Sequence, residues 1–410
     1  MRVTASVKKV YFTDDFGSVY SMDALNGGSL TKHRSGASGS PACGCFYLKH
    51  SNGAEYFYYF ETDQLGRMGD LTSTHASSIY DTGWQSTKYH GAHKFQDRVY
   101  ACNGRYIASL YDDGAGGLTI NKTALDFESS FRANCVSDDG FYLVAGITTN
   151  LSTDNIVHGT TKIVFWDTVS SSWTREWTIN DASIYAIENT PQGLFAVTSR
   201  GVFAFSFNSP PEQLTPYLGT ADVPDPLYPA NYAVDTLGAG LAFGGADGAI
   251  STFGKVRPDT PNVYMKPFTG FTDAVTMVLT TANTSLAFVG TAGSNLYSVT
   301  YSDTPQTSVS GETVYIDLQR WYQVGRIVIE FAEPLASGDS LNIDVQTDVD
   351  TAATDWGTAS YSSNGAVAVK ELYGSKQARH LKLIVNFNGG AVKIKNIDVW
   401  GDPIEPPAFV

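Results

Sequence analysis

The chain has 410 residues and a formal net charge of −14, with 27 Lys and Arg against 41 Asp and Glu. Neutralisation of phosphates, which drives stable nucleic-acid binding, therefore has the wrong sign, and no basic run exceeds Lys8-Lys9. No apolar stretch approaches the roughly 20 residues of a membrane span, and four cysteines are too few for a disulfide framework in a chain this long.

From the amino terminus, Met1-Arg2-Val3 leads almost directly to the apolar Val10-Tyr11-Phe12, without a run of signal-peptide length. That triplet opens a motif of apolar strand, Gly/Asp/Asn turn and second strand: Asp14-Asp15-Phe16-Gly17 turns the chain and Val19-Tyr20-Ser21-Met22 carries it back. Equivalent hairpins centre on Phe57-Tyr58-Tyr59, Val99-Tyr100-Ala101, Tyr142-Leu143-Val144, Leu194-Phe195-Ala196, Leu241-Ala242-Phe243 and Leu286-Ala287-Phe288. The period is roughly 45 residues, the spacing of propeller blades. One small antiparallel sheet cannot bury both its faces, whereas sheets packed radially bury each other's. The expected fold of residues 1–304 is a seven-bladed β-propeller, and the whole chain reads as all-β. Leu237-Gly238-Ala239-Gly240-Leu241 holds too much glycine for a helix interior.

Several motifs within the propeller have two readings. Cys43-Gly44-Cys45 with His90 and His93 supplies soft zinc ligands, but neither spacing is a standard zinc pair, and buried thiols on an inner strand are the simpler account. Ser137-Asp138-Asp139-Gly140-Phe141 echoes part of a sialidase box and is equally turn chemistry. Phe165-Trp166-Asp167 is a single occurrence, so the recurring Trp-Asp and Gly-His pairs of the commonest intracellular repeat class are missing. The insertion from Thr149 to Gly159 lengthens the fourth repeat, and Asn155 and His158 on it are candidate contact residues. No nucleophile elbow, phosphate-cradling loop or dinucleotide fingerprint occurs, so a non-enzymatic protein is expected; a spatial pair of carboxylates is beyond the reach of sequence.

The polar stretch 305–311 reads as a linker, and 312–402 as a C-terminal antiparallel β-sandwich. Ile327, Ile329 and Phe331 alternate with Arg326, Val328 and Glu330, and Leu381, Leu383, Val385 and Phe387 share a face. Asp344, Asp348, Asp350 and Asp355 lie in a stretch with no Lys or Arg close in sequence, a calcium candidate if they converge and a solvated acidic loop if they do not. Trp356 and Tyr361 are either sugar-stacking or core aromatics. Beyond the calcium candidate no cofactor is expected. Residues 403–410 are proline-rich and read as an extended tail.

Two resemblances follow. Tyr315-Ile316-Asp317-Leu318, Trp321-Tyr322-Gln323-Val324-Gly325-Arg326-Ile327-Val328-Ile329 and the closing Val392 to Gly401 resemble the first and last strands of discoidin-like, galactose-binding-type jelly rolls, which implies attachment, including to glycans, more than chemistry. A propeller joined to such a sandwich on an acidic, cysteine-poor chain without a leader resembles tail structural proteins of tailed bacteriophages, including nozzle proteins of short tails. That resemblance implies a virion structural protein, made in the host cytoplasm. Its partners would be other virion proteins, copies of itself in a ring, or a host-surface glycan, with neither nucleic-acid binding nor membrane insertion. The alternatives are a carbohydrate-binding, lectin-like propeller and an intracellular interaction scaffold.

Overall fold

A computed structural model describes residues 2–3, 9–13, 18–23, 30–34, 42–68, 77–87, 89–149, 159–180, 182–215, 218–219, 221–225, 230–237, 240–255, 262–268, 270–280, 286–293, 295–300, 308–312, 316–347, 350, 352–362, 367–389, 392 and 394–405. Seven small antiparallel meanders follow one another along the chain, each ordered by sequence. The first four span Arg2–Val3 to Thr31–Arg34, Ala42–Lys49 to Ser77–Thr82, Ala92–Phe95 to Leu118–Asp126, and Phe131–Asp138 to Arg175–Ile179. The fifth spans Ile184–Thr190 to Glu212–Gln213 and the sixth Val234–Leu237 to Asn262–Phe268. The seventh has three strands among the described residues, from Val275–Thr280 to Leu296–Thr300. These are the blades of a seven-bladed propeller.

The periodic hairpins of the sequence begin, in every blade, on its second strand. In the second to sixth blades that strand is buried on both faces, which is why it reads as a continuous apolar run rather than an alternating one. In Glu55–Glu61, Phe57 and Tyr59 pack with Tyr11 and Val19 of the first blade. Tyr58 and Phe60 turn the other way, onto Val99, Ala101, Ala108 and Leu110 of the third. Third and fourth blades meet through Tyr100, Cys102 and Ile107 against Leu143, Ala145, Val164 and Trp166. Val144, Ile163 and Phe165 continue into Ile184, Leu194 and Phe203 of the fifth. Asp235 of the sixth blade accepts from Thr280 N at 2.8 Å in the seventh.

The ring closes through side chains. Met22 of the first blade and Phe288 of the seventh form one apolar cluster, flanked by Phe12, Met277, Leu279 and Leu296. Among the described residues no strand is exchanged between these two sheets.

The second unit is a six-stranded antiparallel sheet. The long strand Val369–Asn388 pairs along its first half with residues 322–330 of the strand Ile316–Phe331, and along its second half with Ser340–Thr347 on one side and Ser308–Glu312 on the other. Register shifts between Asp317 and Tyr322 and between Val324 and Arg326 bend the sheet, so its halves enclose one core, the corner construction of a sandwich. Ile327, Ile329, Leu341, Ile343, Leu381 and Leu383 fill that core. Two differences from the sequence reading stand out. Ser308–Glu312, inside the expected linker, is a strand, because a polar edge strand with one apolar residue has no period to betray it. The strand Ile394–Pro403 ends on the first residue of the expected tail, and 406–410 lie outside the described residues.

By density of contacts the chain divides into two compact units, 1–251 with 269–301, and 252–268 with 302–410.

Candidate functional site

The innermost strands of blades two to five line a well on the propeller axis, of about 290 Å³. Its walls are residues 45–47, 92–94, 135–137 and 186–188, joined by Val99, Asn231 and Tyr232. The last two belong to a single 3₁₀ turn, Ala230–Ala233, just before the inner strand of the sixth blade. This turn reaches across the axis: Cys45 N in the second blade donates to Tyr232 Oη at 3.0 Å. Glycines make room for it. A Cβ on Gly91 would stand 2.6 Å from Asn231 Nδ2, and one on Gly44 would stand 2.8 Å from Tyr232 Oη and closer still to the His90 carbonyl. At this level the axis is filled by side chains.

The well is chemically uneven. Phe46, Val136, Ile187 and Tyr232 give it apolar and aromatic wall. His93 Nε2 is hydrogen-bonded to Asp138 Oδ2 at 2.6 Å, tying the third blade to the fourth. The Glu188 side chain, on a strand whose backbone is paired, has neither a hydrogen bond nor an ion pair among the described residues. Burial, then the nearby Asp235 carboxyl, push its pKa well above the usual carboxylate range. Burial also raises Asp235, against the donors from Thr280 and Thr236. Asn231 Oδ1 is a buried acceptor without a partner among the described residues.

A raised carboxyl pKa makes a pH-dependent contribution to stability. For Glu188 it is fully present below the unfolded value of about 4.3 and is lost as pH rises through the folded value. Glu188→Gln, which has no proton to lose, is expected to be more stable than wild type at pH 7–8, with the difference shrinking toward pH 4. Thermal unfolding of the two proteins across that range measures it.

The remaining sequence candidates fall elsewhere. His90 sits with its ring nitrogens 2.7 and 3.1 Å from the carbonyls of Cys102 and Thr62. Cys102 and Cys135 are buried free thiols, Cys45 is buried, and the Cys43 side chain lies outside the described residues. Asp344, Asp350 and Asp355, the described members of the acidic stretch, do not converge. Asp344 accepts from Asn342 and Asn386 at 2.9 and 3.0 Å, and Asp355 caps its own turn at Gly357 N, 2.7 Å away. Asp350 takes Lys376 Nζ at 2.8 Å and Thr347 Oγ1 at 2.9 Å. Burial opposes its ionisation, but these donors outweigh it and hold its pKa low. Lys376 arrives from a strand distant in sequence, so the lack of a nearby base was a property of the sequence alone. No group of three metal-ligating side chains occurs among the described residues. Asp348, Asn155 and His158 lie outside the described residues.

Of the two readings of Trp356, sugar platform and core residue, its burial favours the core. It is 7% exposed and lies so close over Gly374 that a Cβ there would stand 2.6 Å from its ring. Tyr361 is 42% exposed and remains available to a ligand.

One polar chain escaped the sequence reading. His50 Nδ1 meets Asp112 Oδ1 at 2.8 Å and its Nε2 meets Tyr58 Oη at 3.0 Å, locking the second blade to the third. Asp112 also accepts from Ser51 N, and these bonds hold its carboxyl well below the usual range.

No protein-family model matches the chain, and no curated protein matches it. Among solved structures it is similar to Raptor of Chaetomium thermophilum, at 12% identity and a TM-score of 0.50, over 72% of this chain and 27% of that one. It is also similar to the Cps50 (Swd1) β-propeller domain of Myceliophteria thermophila, at 11% identity and a TM-score of 0.48, over 73% of this chain and 96% of that one. At such identities the likeness concerns the propeller fold alone.

Proposed function

We propose that this chain is a non-enzymatic interaction scaffold, with a binding face formed by the turns of the fourth blade. The observation that carries the reading is a pair of apolar tips held out in water: Phe141 is 82% exposed and Val169 89%. Phe141 lies between the first and second strands of its blade and Val169 between the third and fourth, so both sit at the same end of the meander.

Both turns are pinned. Asp139 Oδ1 accepts from Phe141 N and Tyr142 N at 2.9 and 2.6 Å. Asp167 accepts from Val169 N, Ser170 N and Ser170 Oγ at 2.9, 2.7 and 2.6 Å. Thr168 stands between them at φ 65°, a left-handed conformation that a β-branched residue rarely adopts. A rigid apolar tip loses little entropy on docking, which favours binding. Thr168→Gly should therefore stabilise the protein by about 1 kcal/mol, read as a higher denaturation midpoint, while loosening the presentation of Val169.

A virion tail protein, as the sequence resemblance implies, is one form of such a scaffold, with other virion proteins or further copies as partners; architecture and composition support it. Affinity capture from the source culture, with wild type and a Phe141→Ser, Val169→Ser double variant, tests the scaffold. A partner retained by wild type and lost with the variant supports it, and identical recoveries count against it. Mass spectrometry of purified particles tests the virion form by the presence or absence of this chain.

A further inference from the structure

We propose that the axial well binds a small organic ammonium ion, its N–H groups on the Glu188 carboxylate and its carbon chain on the apolar wall. The inference goes beyond the scaffold reading, because the well is built from inner strands and not from the exposed turns.

Three features of the well converge on this chemistry. Glu188 is the acceptor: it lines the well and lacks a partner among the described residues. An ammonium donor would give it a charge-assisted hydrogen bond, among the stronger polar contacts available to a protein. Phe46, Val136 and Ile187, whose side chains pack between blades, contribute a smaller apolar part of the wall, and Tyr232, hydrogen-bonded to Cys45, fixes an aromatic ring beside them. A hard metal ion is served poorly. Calcium takes six to eight oxygen ligands, whereas no three metal-ligating side chains converge among the described residues. Of the basic side chains in the wall, His93 is already engaged by Asp138, and Lys94 is exposed. The volume of about 290 Å³ suits an organic cation of several heavy atoms.

The ammonium ion binds the carboxylate form of Glu188, so wherever the free side chain still holds its proton, the O–H bond breaks and that proton passes to buffer as the ammonium N–H takes its place. Binding weakens as falling pH returns Glu188 to the acid.

The test is a calorimetric titration of the full chain with n-butylammonium at pH 7, in two buffers of different ionisation heat, with n-butanol and butyrate as controls. The expected result is saturable one-to-one binding of the ammonium compound alone, the two buffers separating the heat of any proton release from that of binding. Glu188→Gln, checked for folding by circular dichroism, should bind at least about tenfold more weakly. In wild type the affinity should also fall between pH 7 and pH 4.5, a readout that needs no variant. No saturable binding, equal binding of butanol, or undiminished binding by Glu188→Gln would overturn the proposal. None of these outcomes bears on the turns of the fourth blade, so the scaffold reading is judged separately.

Discussion

Phe288→Ala is expected to destabilise the propeller by about 3–5 kcal/mol, the usual cost of emptying a large aromatic site in a core. Phe288 is fully buried, and with Met22 it forms the apolar contact between the last blade and the first. Among the described residues the two sheets share no strand, and this packing is the contact they show at the seam. A cavity there weakens it. The guanidinium midpoint of the full chain measures the loss, and hydrogen exchange locates it. Amides of Lys9–Thr13 and Leu286–Thr291 should gain exchange before those of the fourth blade. A loss below about 1 kcal/mol, or uniform exchange around the ring, would mean that the seam is held by something else.

The second large effect concerns the sandwich. Trp356→Ala is expected to cost its unit about 3–5 kcal/mol, because the indole is 7% exposed and closes the bent sheet over Gly374. Tyr361→Ala, only a few residues away, should stay within about 0.5 kcal/mol. Thermal unfolding of the two variants in the full chain separates a core residue from a surface one. Equal effects would contradict the assignment of Trp356 to the core.

Such neighbours show what a sequence reveals and what it hides. The seven hairpins were legible because the second strand of each blade is sandwiched between two other blades, so both side-chain parities are apolar, as in Tyr56-Phe57-Tyr58-Tyr59-Phe60. Outer strands meet water and carry little signal: Leu118–Asp126 alternates with exposed residues, and Glu212–Gln213 is wholly polar. In the sandwich the two-residue period located Ile327, Ile329 and Phe331 correctly on the buried face. The same period does not say which of Trp356 and Tyr361 faces inward, since a fold in the sheet decides it.

The axial well was not legible. Its residues run from Cys45 to Tyr232, brought together by ring closure and not by spacing. One signal was present: Glu188 ends the apolar run Ile184-Tyr185-Ala186-Ile187, an acid on an otherwise buried strand without a base beside it. Nothing in Ala230-Asn231-Tyr232-Ala233 announces a turn that crosses the axis. Phe141 was read as part of an Asp-Gly turn, which is right, but exposure of its ring is a property of the folded blade.

The proposed docking of a partner on the pinned turns of the fourth blade has a direct signature. Hydrogen exchange on the complex recovered by affinity capture tests it most directly. Protection concentrated at residues 139–142 and 167–172 is the predicted result. Protection confined to other blades or to the sandwich, with these two turns exchanging as in the free chain, would contradict it.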